Sequence, residues 1–97
     1  MSTPREGYLS LMEAFINHTI SARDFERRYL QKFKEESEPL DESTYQVLNE
    51  VFADVDAFEA DDSLRREMEA ENPGYPLDEA QLKSRVRAAV ARLRLAT

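Results

Sequence analysis

Eleven acidic residues lie between positions 35 and 62: Glu35, Glu36, Glu38, Asp41, Glu42, Glu50, Asp54, Asp56, Glu59, Asp61 and Asp62. No lysine or arginine interrupts them, and all thirteen basic residues fall elsewhere in the chain. Carboxylates at this density could do three kinds of chemistry: ligate a hard cation, share a proton as an acid–base pair, or face a basic partner. The calcium loop fails on spacing. Counted from Asp54, its obligatory glycine falls on Glu59 and its bidentate glutamate on Arg65. An acid–base pair needs a desolvated pocket to tune a pKa, which a chain of 97 residues with so acidic a surface hardly offers. There is no cysteine, no P-loop, no Gly-x-Gly-x-x-Gly and no nucleophile-elbow serine. We therefore expect no catalytic residue, no metal and no cofactor. The single histidine, His18, reads as a cation complementing the carbonyl end of a helix.

The placement of the acids carries more information than their number. The chain is acidic overall, at net −7, yet outside the window nine acids meet thirteen bases. Asp41 and Glu42 suit the start of a helix, where the macrodipole favours negative charge. Glu50 and Asp54 form an (i, i+4) like-charge pair, unfavourable unless something basic lies opposite, such as the later run Lys83, Arg85, Arg87, Arg92 and Arg94. Asp56, Glu59, Asp61 and Asp62 crowd the end of a predicted helix, where the dipole repels them. A helix continuing past Phe58 would turn Glu59 inward, so it should stop there and leave Glu59 and Asp61 displayed. Folding alone does not choose this arrangement. The candidate interface is Asp54, Asp56, Glu59, Asp61 and Asp62, with a basic protein as partner. Nucleic acid is not expected, because phosphates repel such a chain. Tyr75, in the turn Asn72-Pro73-Gly74-Tyr75-Pro76, reads either as an interface anchor or as a lid over the end of the fold.

Helices must position these groups, since no useful segment alternates with period two. The first helix carries Tyr8, Leu11, Met12, Phe15 and Ile16 and is announced by Thr3, Pro4 and Glu6. Three further starts repeat one grammar, an apolar residue, a cap, then an apolar residue four positions after the cap. They are Ile20–Ser21 with Phe25, Leu40–Asp41 with Tyr45, and Leu77–Asp78 with Leu82. The stripes that follow predict helices over about 22–36, 42–59 and 79–95. Core positions are Phe25, Tyr29, Leu30 and Phe33; Tyr45, Leu48, Val51, Phe52, Val55 and Phe58; and Leu82, Val86, Ala89, Val90 and Leu93. Connections 17–20 and 37–40 are short, so neighbours should run antiparallel. The longer one, 60–76, has room for a helical turn around 63–69. The expected fold is all-α, an antiparallel up-and-down four-helix bundle in one domain over 1–97. With no apolar run of membrane length and no signal-like start, we expect a cytoplasmic protein, monomeric before binding.

Three segments resemble one family. Glu50-Val51-Phe52-Ala53-Asp54-Val55-Asp56-Ala57-Phe58-Glu59-Ala60-Asp61 is similar to the E-L-F-x-x-x-[DE]-x-F-x-x-D signature of the self-protective colicin-like immunity proteins, in particular those of colicin D type. Tyr75-Pro76-Leu77-Asp78-Glu79, with Leu82-Lys83 and Val86-Arg87, resembles their Y-x-[IL]-D-[DE]-x-x-L-K-x-x-V-R. Ile20 to Arg28 resembles their I-T-A-x-E-F-x-x-R. The stretch from Asp62 to Gly74 looks longer here and adds Arg65 and Arg66. The resemblance implies a four-helix domain that blocks a toxin cleaving tRNA near the anticodon. It further implies that carboxylates at Asp56, Glu59 and Asp61 stand in for tRNA phosphates at the positively charged active site. The expected partner is thus the basic C-terminal nuclease domain of a cognate toxin. The alternative reading is a non-inhibitory acidic helical adaptor that docks on some other basic protein.

Overall fold

The computed structural model describes residues 4–37 and 40–95. Five helices follow one another: α1 (Pro4–Ile16), α2 (Ala22–Lys34), α3 (Glu42–Ala57), α4 (Asp62–Glu71) and α5 (Glu79–Leu95). Among the described residues there is no strand, and the one extended pairing is a parallel bridge between Phe58 and Leu77. The expected all-α class stands, with five helices in place of four. The long connection contains a ten-residue helix, α4, rather than a single turn.

The repeated start grammar is visible as hydrogen bonds. Ser21 Oγ accepts from the Asp24 amide at 3.1 Å, and Asp41 Oδ2 accepts from the Thr44 amide at 3.1 Å. At α5 the capping box is reciprocal: Asp78 Oδ1 accepts from the Gln81 amide at 2.8 Å, and Gln81 Oε1 from the Asp78 amide at 3.0 Å. Helix α1 begins at Pro4 as read, whereas its cap Thr3 lies outside the described residues. Hydrogen bonding from Thr44 and from the Ser43 hydroxyl pulls the Asp41 carboxyl down to about 2.

Helix α1 packs on α2 and α5, and α3 packs on the same two. The core between them holds Tyr8, Met12, Phe15, Phe25, Tyr29, Leu48, Val51, Val55, Leu82, Val86 and Leu93. Fully burying each large apolar side chain contributes about 1.5–3 kcal/mol. Phe15 stacks on Phe25 with centroids 4.6 Å apart, and the buried Tyr29 hydroxyl donates to the Leu48 carbonyl at 2.6 Å. Tyr8 donates to Glu36 Oε2 at 3.1 Å, and burial holds both tyrosine hydroxyls far above their ordinary pKa. One core expectation needs correction. Tyr45 is 48% exposed, leaning its ring on Phe33, and Val47 takes the inward position instead. The inward arc of α3 runs through Thr44, Val47, Leu48, Val51 and Val55, which places Tyr45 on its margin.

His18 closes the end of α1 through its backbone. It adopts φ 62° just past α1, where the Thr19 amide reaches the Ala14 carbonyl at 2.8 Å and the His18 amide reaches Phe15 at 3.1 Å. These two bonds close a Schellman motif, with histidine at the left-handed position that glycine usually fills. Its Nδ1 lies 3.0 Å from Lys83 Nζ of α5.

Candidate functional site

Helix α3 stops at Ala57 because the chain turns extended at Phe58, with φ −70° and ψ 132°. The segment before α5 then captures it. The Leu77 amide donates to the Ala57 carbonyl at 2.9 Å, and the Glu59 amide donates to the Leu77 carbonyl at 3.1 Å. Phe58 and Leu77 are buried beside this clip, so the stretch from Glu59 to Pro76 leaves the core and returns to it at one point. The expected stop near Phe58 is thus produced by a tertiary bridge.

Four of the six sequence-predicted residues gather at this exit. Asp56 is exposed, and Tyr75 donates its hydroxyl to Asp56 Oδ2 at 3.3 Å. Glu59 follows the clip. Asp61 caps α4, its Oδ1 accepting from the Leu64 amide at 3.0 Å. Among the described residues no lysine, arginine or histidine stands within ion-pair distance of Asp56, Glu59 or Asp61. Tyr75 is 42% exposed, and the covering role considered for it falls to Pro76 and Leu77 instead.

Asp54 and Asp62 are differently placed. Asp54 faces α5 and pairs with Arg85 at 3.5 Å, with its side chain only 20% exposed. Burial pushes its carboxyl up, Arg85 opposes that, and Glu50 adds to it. One turn back, Glu50 is paired with Arg92. Together these pairs wall a groove between α3 and α5 with an apolar floor that includes Val47, Val51 and Ala89. Asp62 pairs with Arg65 at 2.5 Å, while a second arginine nitrogen donates to the Glu59 carbonyl at 3.1 Å. Arg65 thereby neutralises Asp62 and pins the backbone that displays Glu59.

One acid escaped the sequence reading. Glu26 of α2 is half-buried, and its carboxyl is pushed up first by that burial and then by Glu59. Arg23 opposes the shift and Asp56 adds to it. Glu26, Asp56 and Glu59 therefore feel one another's charge, although Glu26 lies thirty positions before Asp56. Linear spacing carried no signal for it. Among the described residues, no group of three or more His, Cys, Asp or Glu is arranged to hold a metal ion. None of their helices is long and apolar enough to cross a membrane.

The chain belongs to the bacterial self-protective colicin-like immunity family, whose family model matches residues 1–93. It is in that broad sense a toxin-inhibiting immunity protein, whose task is binding a colicin-type toxin rather than catalysis. No curated protein and no solved structure gives a significant match.

Proposed function

We propose that this chain inhibits a cognate ribonuclease toxin, of the tRNA-cleaving kind, by seating Asp56, Glu59 and Asp61 in its cationic, RNA-binding cleft. Such an enzyme must concentrate positive charge to hold phosphates, and a pre-organised set of carboxylates competes for that charge. The four longer helices close as an antiparallel up-and-down bundle, one domain over 1–97, and supply the rigidity. The protein acts in the cytoplasm as a monomer, catching the basic C-terminal domain of the toxin before it meets RNA. Nucleic acid itself is not a ligand.

The observation that carries this reading is that no cation among the described residues lies within pairing distance of the three carboxylates, while Glu50 and Asp54 of α3 are matched. Unneutralised carboxylates held on a braced backbone keep their field for a partner. Family membership favours an inhibitor over the adaptor alternative. The test is Asp56→Asn, Glu59→Gln and Asp61→Asn together, against the nuclease domain encoded beside this chain's gene. Asparagine at position 61 preserves the cap of α4, so the scaffold stays intact while the charge goes. Association should slow at least about tenfold and lose most of its salt dependence. Full inhibition by the triple variant, with unaltered salt dependence, overturns the reading.

A further inference from the structure

Helix α4 is ordered, yet none of its side chains is buried. It is held from its ends rather than by packing. Asp61 caps it, Arg65 reaches back to the Glu59 carbonyl, and Glu69 accepts from the Gly74 amide at 3.0 Å, where φ is +83°. Its apolar residues Leu64 and Met68 are four apart, the spacing of one face, and Leu64 remains 50% exposed. Of the four large hydrophobics exposed among the described residues, Leu64 and Tyr75 both belong to this excursion between Phe58 and Leu77.

Both are tied to the acidic edge. The Leu64 amide is bonded to Asp61 and the Tyr75 hydroxyl to Asp56. Two exposed apolar residues on an excursion whose carboxylates meet no cation among the described residues have the make-up of interface anchors with a charged surround. The charge commits the occupant, because Asp56, Glu59 and Asp61 favour the approach of a basic surface to Leu64 and Tyr75. We infer that the α4 excursion is a specificity arm: Leu64 and Tyr75 seat on an apolar rim beside the toxin's cationic cleft and decide which basic nuclease is retained. This rests on the inhibitory reading above and adds a division of labour to it. Long-range charge governs how fast a partner is caught, and desolvated apolar anchors govern how long it stays.

The test compares wild type, Leu64→Ala and Leu64→Met against two probes, the nuclease domain encoded beside the gene and poly-L-lysine. Alanine favours the helix and Leu64 is half-exposed, so folding should survive, which circular dichroism checks. For the nuclease domain, Leu64→Ala should speed dissociation about tenfold or more while leaving association within about twofold. Leu64→Met should restore most of the residence time. Poly-L-lysine should bind all three alike, since charge alone holds it. An unchanged dissociation rate for Leu64→Ala overturns the specificity arm and leaves the inhibitory reading standing. A wild type that self-associates through Leu64, with the alanine variant monomeric, overturns it too by making a second copy the occupant. A nuclease domain that wild type fails to bind overturns both readings at once.

Discussion

The middle of the acidic helix α3 and the exit at its end behave in opposite ways. In the middle of α3, Glu50 and Asp54 are met across a groove by Arg92 and Arg85 of α5. Around its end, Asp56, Glu59 and the α4 cap Asp61 meet no cation among the described residues, and a tyrosine hydroxyl takes the place of an arginine beside Asp56. The first set joins two helices and spends its charge inside the molecule. The second set is crowded further by Glu26 and keeps its charge facing outward. Equal residue types therefore carry different roles, decided by what the neighbouring helix brings opposite them.

Neutralising the matched pair gives the sharpest test of this contrast. Glu50→Gln with Asp54→Asn should leave toxin association within about twofold, whereas neutralising the exit set should slow it by about 10- to 1,000-fold. Stopped-flow association at two salt concentrations measures both. A cation supplied to the exit edge should make it resemble the matched middle of α3. Tyr75→Lys, placed beside Asp56, should slow capture several-fold without lowering thermal stability, read by calorimetry alongside binding.

A smaller effect is expected from unmatching the first set. Arg85→Ala leaves the mostly covered Asp54 without its cation and should cost about 0.5–1 kcal/mol, limited by the exposure of the arginine. Asp54→Asn in that background should recover most of the loss, which a double-mutant cycle in denaturant checks. The smallest effect concerns Glu26. Its carboxyl is pushed up on folding, so the folded chain binds that proton more tightly than the unfolded one. The group's contribution to stability is thus intact at acid pH and lost as pH rises through the raised value. Glu26→Gln should therefore raise the melting temperature slightly at neutral pH and make no difference once carboxylates are protonated.

Much of the framework was legible before any coordinates. The starts at Ser21, Asp41 and Asp78 rest on bonds to amides three residues on, and local spacing suffices to predict those. The stripes of α2 and α5 were read correctly because long amphipathic periods leave little choice of face. Tyr45 was misplaced because its position after a cap outweighed its angle on the helix. The sequence suggests only a turn where α4 forms because that helix lacks an inward stripe, and Asp61, an interface charge by its spacing, also serves as its cap. At the site, Asp56, Glu59, Asp61 and Tyr75 do come together. Asp54 and Asp62 each acquire an arginine, and Glu26 arrives from another helix.

The sequence by itself determined where most helices begin, which faces are apolar, and that one basic-free window holds the excess of negative charge. Each of these depends on interactions within about one helical turn, which residue order specifies directly. Tertiary structure decided which of the charges along α3 are cancelled. An arginine on α5 reaches α3 across roughly thirty positions, and the clip at Phe58 and Leu77 spans nineteen. Coulomb energy follows distance in space, and only the packed arrangement of helices sets that distance.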